Sequence, residues 1–412
     1  MSHHLPEGWR WAKLGELLHQ ISRWIAIQDD QQYRRCTVSW YNKGVFPRDE
    51  ISGVKIRTKR QQLLEDGDFV VAEIDAKEGS FGIVNSDTAG SIVSSHYFVY
   101  KIAETLDRDY FKQIILIGML QNQVNAVGST NYAAIRPDEV YGYRIPYPPL
   151  DEQRRIAAVL RDADASIARV EESIAAAQAV KRGVMRRLFT YGTGVESTPT
   201  KHTPIGEIPA GWEIVQLGQL LDMIEAGRSP KALDRRAEND EWGVLKVSAV
   251  RPEGLQANEN KAVIDSQHIN PAYEIREGDV LISRANTSEL VGLVAFVENA
   301  PPRLMLSDKT LRLIVNQNHS DSRFLSYFLQ SDPMRQQIVD NATGTSAGMK
   351  NISQDSILRL LVACPDLGEQ RKIAAILQTH DDAIRALQAE RERLRAVKRG
   401  LMQGLLSGEV RV

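Results

Sequence analysis

Cysteine is nearly missing from this chain. Its 412 residues hold two, Cys36 and Cys364. They lie far apart and match neither CxxC nor any metal-ligand spacing, which excludes a disulfide framework and suits a reducing compartment. Neither sign of charge dominates: 51 Lys and Arg stand against 53 Asp and Glu, a formal net charge of −2. The whole-chain balance therefore carries no electrostatic footprint of nucleic acid or an anionic membrane. The most apolar run, "IILIGML" from Ile114 to Leu120, falls far short of the ~20 residues a membrane helix needs. The opening "MSHHLPEGW" has neither a basic stretch nor an apolar core and does not read as a signal peptide. A soluble, cytoplasmic protein without a membrane partner is expected. The length exceeds what one core usually organises, so two or more domains are expected as well.

Enzyme signatures are also lacking. There is no GxxxxGK(S/T) phosphate loop, GxGxxG turn or HExxH, so ATPase, dinucleotide and zinc-protease readings have no anchor. The fragment "NPAY", Asn270 to Tyr273, is one proline short of the Asn-Pro-Pro-Tyr motif by which amino-methyltransferases hold a flipped adenine. No FxGxG strand end accompanies it, and a plain turn is the better reading. The eight histidines do not cluster at ligand spacing, so no metal site and no catalytic residue is assigned. His96, between "SS" and "YF", reads as a half-buried residue rather than a base.

What the chain does have is repetition. "EQRRIAAVL" from Glu152 returns as "EQRKIAAIL" from Glu369, and "AVKRGVM" from Ala179 returns as "AVKRGLM" from Ala396. The whole stretch aligns without a gap, with roughly sixteen identities in about forty positions, a density chance rarely gives. A second echo opens each half, "LPEGWRWAKLGEL" from Leu5 and "IPAGWEIVQLGQL" from Ile208; fainter ones pair "EDGDFVV" at Glu65 with "REGDVLI" at Arg276. The repeated tails predict long helices with a seven-residue seam. In the first copy the seam runs through Ile156, Leu160, Ile167, Ile174, Lys181 and Leu188. In the second it runs through Ile373, Leu377, His380, Ile384, Arg391, Leu394, Lys398 and Leu405. Prolines just upstream, in "IPYPPLDEQ" and "VACPDLGEQ", end a strand and fix the helix starts, and Asp366 with Glu369 has capping-box spacing. Gly183 and Gly400, near the two helix ends, suggest close backbone approach between helices, with a tolerated local kink as the bland alternative.

The stretches before the tails differ in kind. Short β-rich runs such as "DFVVAEI", "GSIVSSHYFVYKI", "WGVLKVSAV", "DVLIS" and "TLRLIV" alternate with turn residues. One helix is expected near "RDYFKQIILIGMLQNQV" and another near "SRFLSYFLQSDPMRQQIV". An α+β fold follows, a mixed domain of roughly 150 residues stated twice, each with a long helical tail. The boundaries read as a first domain 1–150, a helix 151–191, a polar Gly/Thr/Pro-rich linker 192–207, a second domain 208–366 and a C-terminal helix 367–412.

Charge becomes informative when read locally. Arg34, Arg35, Lys43, Arg48, Lys55, Arg57, Lys59 and Arg60 stand against only Asp49 and Glu50, interleaved with Tyr33, Trp40, Tyr41 and Phe46. Such a run can neutralise phosphates while aromatic and arginine planes meet bases. A solvated basic edge is the bland alternative. The second half offers Arg228, Lys231, Arg235 and Arg236 in one loop and Arg284, Asn286, Thr287 and Ser288 in another.

Two divergent mixed domains, each opening on "P-x-G-W" and closing on "(P)PLxEQ" with a helix ending "KRGxM", resemble the specificity subunit of type I restriction-modification systems. The resemblance spans essentially the whole chain. "AEIDAKEGSFGIVNSDTAGSIVSSHYFVY", "GVLKVSAV", "EGDVLISRANTSELVG" and "GTSAGMKNIS" are similar to versions of that family's target recognition domains. Two departures stand out: the second tail reads "CPDLGEQ" rather than "PPLDEQ", and its seam carries His380 and Arg391.

The resemblance implies two target recognition domains separated by two long antiparallel coiled-coil helices in a pseudo-two-fold repeat, and a non-catalytic subunit that recognises double-stranded DNA, an asymmetric bipartite target. It implies docking of two adenine-methyltransferase subunits, and of restriction subunits that complete an ATP-dependent nuclease. S-adenosylmethionine, ATP and Mg are then expected in the partners and no cofactor in this chain. A helix of about 35 residues is roughly 50 Å long, so reading heads about a dozen base pairs apart are expected. DNA contact is expected from the basic and polar residues named above together with Asp75, Lys77, Ser95, His96, Lys246, Ser248, Lys309, Thr345, Lys350 and Asn351. Partner contact is expected from Arg154, Arg155, Lys181, Arg182, Arg371, Lys372, Lys398 and Arg399. The rivals are an adenine-specific methyltransferase, a coiled-coil adaptor for proteins, and a DNA-recognition subunit of a related modification or defence system.

Overall fold

A computed structural model describes residues 5–124, 134–194, 198–238, 240–344 and 349–412. Two compact units divide it: Met1–Glu171 with Ala389–Val412, and Glu172–Gln388. The boundaries fall within the two long helices rather than at their ends. Each unit takes part of both helices: Ile156, Leu160 and Leu405 join the core of the first, and Leu188, Ile373 and Leu377 that of the second.

In the first unit one four-stranded sheet has the order β2 (Leu18–Ile21), β10 (Tyr97–Ile102), β7 (Phe69–Ala72), β8 (Phe81–Ile83). The two-residue period of a strand sends alternate side chains to opposite faces. Phe69 and Val71 join Tyr100, Tyr110 and Phe111 in a core against the long helix, while Val70 and Val99 pack with Cys36, Val38, Val45 and Val93. The latter belong to a five-stranded sheet of β3 (Trp24–Ala26), β6 (Arg60–Leu63), β9 (Ile92–Val93), β4 (Gln32–Ser39) and β5 (Gly44–Ser52). A small pair, β1 (Arg10–Lys13) with β11 (Arg144–Tyr147), closes the unit beside helices α1 (Arg108–Leu116) and α2 (Pro137–Gly142). The expected helix through Val124 stops at Leu116 because Gly118 turns the chain at φ +73°.

The second unit repeats the scaffold. Its four-stranded sheet runs β15 (Leu221–Ala226), β24 (Thr310–Val315), β20 (Val280–Ser283), β22 (Val294–Phe296), and β14 (Glu213–Gln216) pairs β26 (Leu361–Cys364). Val280 and Ile282 face the helical core, and Leu281 faces a second core with Leu245, Ala295 and Leu306. Here the outer sheet is reduced to β19 (Asn260–Ala262), β16 (Gly243–Leu245) and β23 (Leu304–Met305), with β17 (Val250–Arg251) pairing β18 (Gly254–Leu255). The single helix expected over "SRFLSYFLQSDPMRQQIV" is two, α4 (Ser322–Leu329) and α5 (Asp332–Asn341), because Pro333 can begin a helix and not continue one. The faint "GD" echo marks one shared turn. Gly67 and Gly278 have φ of +81° and +88°. The aspartates after them, Asp68 and Asp279, accept the Glu65 and Arg276 main-chain N–H, each at 2.8 Å. Arg23 in one unit and Arg312 in the other pair with those carboxylates.

The long helices are α3 (Leu150–Tyr191) and, after the short α6 (Gln354–Leu358), α7 (Leu367–Ser407). In the first unit Glu152 meets Arg411, Asp164 meets Lys398 and Glu171 meets Arg395. One helix advances as the other recedes, so the pair is antiparallel; in the second unit Lys181 meets Asp381. Ile156, Leu160, Ile174, Leu188, Ile373, Leu377, Ile384 and Leu405 are buried, and Ile167 and Leu394 are half-buried. Each buried Leu or Ile contributes about 1.5–3 kcal/mol of hydrophobic stabilisation. His380 and Arg391 are half-buried, and Arg391 pairs with Glu392 of its own helix.

Three expectations need correction. Lys181 and Lys398, expected to point outward to a partner, lie on the seam and pair with the opposite helix. Gly183 and Gly400 are exposed, and a Cβ on either would meet nothing within 4 Å, so no close backbone approach explains them. The linker is shorter than 192–207: β12 (Thr200–Thr203) and β13 (Gly206–Pro209) form a hairpin whose Ile205 and Ile208 enter the second core. A polar composition concealed those two anchors.

The repeated Glu-Gln dipeptide fastens each helix start to its domain. Glu152 accepts from the Trp9 indole at 3.1 Å and Glu369 from Trp212 at 3.0 Å, which joins the "GW" echo to the "EQ" echo. Gln153 accepts from the Asp107 N–H at 2.9 Å and donates to the Thr105 and Pro148 carbonyls. Gln370 does the same with Asp321, His319 and Pro365. Asp107 and Asp321 in turn cap α1 and α4. The capping box is half made: Asp366 accepts the Glu369 N–H, but the Glu369 carboxylate is spent on Trp212 and Thr193.

Candidate nucleic-acid interface

The basic run of the first half is an antiparallel hairpin. Strands β4 and β5 pair from Gln32 opposite Ser52 to Ser39 opposite Gly44, with a bulge between Arg35 and Cys36. Cys36 and Val38 point inward; burial pushes the Cys36 thiol up to about 11, so it is an inert core group. The tip, Trp40 to Lys43, is held in an unusual conformation. Tyr41 and Asn42 have φ of +62° and +58°, costly for residues other than glycine. Two main-chain bonds fix it, Tyr41 N–H to the Glu78 carbonyl at 2.7 Å and Asn42 N–H to the Gly79 carbonyl at 2.8 Å. The buried Asn42 amide donates to Gln121 at 2.7 Å. Trp40 and Tyr41 are consequently presented to solvent, 50% and 65% exposed, with Lys43 over the Tyr41 ring and Asp75 beside them in one shallow pocket. Lys77 is exposed on the turn that anchors the tip.

The cations of this run divide into two groups. Arg35 grips Asp49 across the strands at 2.7 and 2.6 Å, Arg34 donates to the Ala89 carbonyl at 2.7 Å, Lys59 reaches Asp29 at 2.5 Å, and Arg60 stacks on Trp24 at 4.6 Å. Lys55 and Arg57 are exposed with no side-chain partner among the described residues, and Arg48 touches Asp49 only at 3.9 Å. The first group is spent within the unit, Arg35 across the hairpin and the others on neighbouring strands and loops. The second is free to meet phosphate.

In the second unit the expected residues fall into three places. Strand β21 (Ala285–Asn286) pairs β25 (Lys350–Asn351), which brings Arg284, Asn286, Lys350 and Asn351 together beside Thr287. The Arg284 N–H donates to the Lys309 carbonyl at 2.8 Å, and Ser229 bonds Asp308, so Lys309 and Arg228 join the group. Arg235 is held elsewhere by Glu241, whose carboxyl that guanidinium draws down to about 2. Lys246 and Ser248 share Glu259, and both are half-buried. Lys231 and Arg236 are exposed on the same loop as Arg235. Thr345 lies outside the described residues.

Two side chains escaped the sequence reading. Glu73 Oε2 lies within hydrogen-bond distance of His96 Nδ1, 2.9 Å, and exposed Met349 adjoins Lys350. Ser95 and His96 are exposed in the turn before β10 rather than inside a strand. Extending the "GD" alignment to "EDGDFVVAE" and "REGDVLISR" would have set Glu73 opposite Arg284. "NPAY" is a single turn in which Asn270 caps its own backbone at the Ala272 N–H. That side-chain oxygen is committed to the turn. On the long helices Arg154, Arg155, Arg182, Arg371, Lys372 and Arg399 are exposed. Among the described residues no helix is long and apolar enough to cross a membrane.

Comparison with known proteins agrees with this architecture. The family model for the type I restriction modification DNA specificity domain matches twice, over residues 6–178 and 209–396. The chain is 25% identical over 418 residues to the type I restriction enzyme MjaVIII specificity subunit of Methanocaldococcus jannaschii, covering 99% of this chain and 94% of that one. It is 30% identical over 173 residues to the EcoEI specificity subunit of Escherichia coli, 42% of this chain and 29% of that one. Its fold is similar to a chain in a solved type I R-M system, with TM-score 0.59 and 19% identity over 99% of this chain and 100% of the other. Two matched domains that cover most of the sequence, on a fold already built from two like scaffolds, place this chain in the family of type I restriction-modification DNA specificity subunits.

Proposed function

We propose that each unit reads one half of an asymmetric, split DNA target for a type I restriction-modification complex. One observation carries this. Two units with the same four-stranded scaffold and the same helix anchor present different side chains at their loop ends: a basic hairpin with an aromatic tip in one, and an Arg, Asn and Lys cluster on β21 and β25 in the other. A scaffold held constant while its polar ends vary suits two half-sites of unlike sequence. The near-neutral total charge fits a subunit that supplies local basic loops inside a larger complex.

Two methyltransferase subunits dock on the repeated helices, through the exposed pairs Arg154 and Arg371, Arg155 and Lys372, Arg182 and Arg399. Restriction subunits complete the nuclease. Methyl transfer from S-adenosylmethionine and ATP- and Mg-dependent cleavage belong to those partners, in the cytoplasm. The deciding experiment is a mobility shift on duplex DNA. The chain with its methyltransferase partner should retard a target duplex, and the partner alone should not. Equal retardation by the partner alone would overturn the assignment.

A further inference from the structure

The two units bring a different pair of side chains to one equivalent position. In the first, Glu73 follows β7; its N–H donates to the His96 carbonyl at 2.8 Å and its carbonyl accepts the Ile135 N–H at 3.0 Å. In the second, Arg284 follows β20; its N–H donates to the Lys309 carbonyl at 2.8 Å and its carbonyl accepts the Ile352 N–H at 3.0 Å. Strands β7 and β20 hold the same place in their sheets. The main chain therefore makes the same two bonds at both positions, and Glu73 with His96 corresponds to Arg284 with Lys309.

The chemistry at these positions is opposite. Glu73 is held by His96 through one carboxylate oxygen, and the other oxygen has no partner among the described residues. It is an oriented acceptor, 31% exposed. The half-buried Arg284 has no side-chain partner among the described residues, and Lys309 beside it is exposed. Among the described residues this donor fork has no acceptor of its own. A carboxylate accepts from a cytosine amino group, whereas an arginine fork fits guanine O6 and N7.

We infer that this shared position distinguishes the two half-sites, Glu73 reading an amino-bearing base, cytosine foremost, and Arg284 reading guanine. The inference rests on the DNA-reading role proposed above. Because the scaffold bonds are made by main chain, side-chain exchange leaves them in place.

The test co-expresses the full chain with its methyltransferase partner and sequences the methylated positions of host DNA. Glu73→Gln, nearly isosteric, should relax one base position in one half-site by about 10–100-fold in discrimination and leave the other half unchanged. Arg284→Gln should relax one position in the opposite half. Relaxation in the same half-site by both variants, or an even loss at all sites with no base relaxed, overturns the inference. A wild-type motif that neither exchange alters overturns it alone. A wild-type complex with no chain-dependent motif overturns the recognition role as well.

Discussion

Lys181 Nζ lies 2.6 Å from Asp381 Oδ1, and their repeat copies, Lys398 and Asp164, meet at the same 2.6 Å in the other unit. Each ion pair thus joins the "KRG" end of one helix to the "EQ" half of the other. Both members of each pair lie within the repeated tails, so the duplication reproduces the contact. Tyr327 adds its ring over Lys181 and its hydroxyl to Asp381 at 2.6 Å, and burial pushes that hydroxyl's ionisation well up.

The two pairs differ in burial, so their energies should differ. The side chains of Lys181 and Asp381 are 12% and 20% exposed, whereas Asp164 is 49% exposed. Asp381→Ala should cost about 2 kcal/mol, between surface and fully buried pairs, and Asp164→Ala under about 1 kcal/mol. Denaturant melts of both variants measure this. Equal losses would mean that burial does not set the strength of these pairs.

Gly183 and Gly400 sit in exposed helix interior with open space where a Cβ would go. Alanine at either should stabilise the isolated chain by up to about 1 kcal/mol. If the same variants weaken assembly with the methyltransferase, as a pull-down would reveal, the glycines serve partner contact.

The Arg411 guanidinium first, then the Trp9 indole, holds the Glu152 carboxyl below its ordinary value of 4.5. The folded chain binds that proton only at lower pH than the unfolded chain does. Its stabilisation is therefore full above about pH 4.5 and lost as pH falls through the folded value. Glu152→Gln should melt below the wild type at pH 7, and the gap should narrow below pH 4.5. A gap independent of pH would assign the effect to packing.

Lys55 and Arg57, exposed and unpartnered among the described residues, should act as phosphate contacts. Alanine at either should weaken binding about evenly across DNA sequences and reduce the slope of log affinity against log salt by about 1 each. Arg35→Ala should instead loosen the hairpin, because its fork is spent on Asp49. Salt titrations with matched and scrambled duplexes separate the two behaviours.

The long helices and their seam were legible because heptad periodicity is local and the chain states it twice. The mixed fronts were legible only as strands and turns. Trp9 and Glu152 are 143 positions apart, and no periodicity joins residues so distant. Their joint return as Trp212 and Glu369 was the available clue. The basic run showed its charge but not its allocation, since cross-strand register decides that Arg35 meets Asp49 while Lys55 meets no side chain among the described residues. Ile205 and Ile208 were hidden by Thr, Gly and Pro around them, whose turn chemistry reads alike in a linker and a hairpin.

The central claim is that two unlike heads on one chain read one split target. Single-molecule sequencing of methylated adenines in a host carrying the chain with its methyltransferase tests it most directly. The account expects one asymmetric motif of two specified blocks separated by an unspecified gap, lost when the chain is deleted. A palindromic ungapped motif, or methylation that persists without the chain, would contradict it.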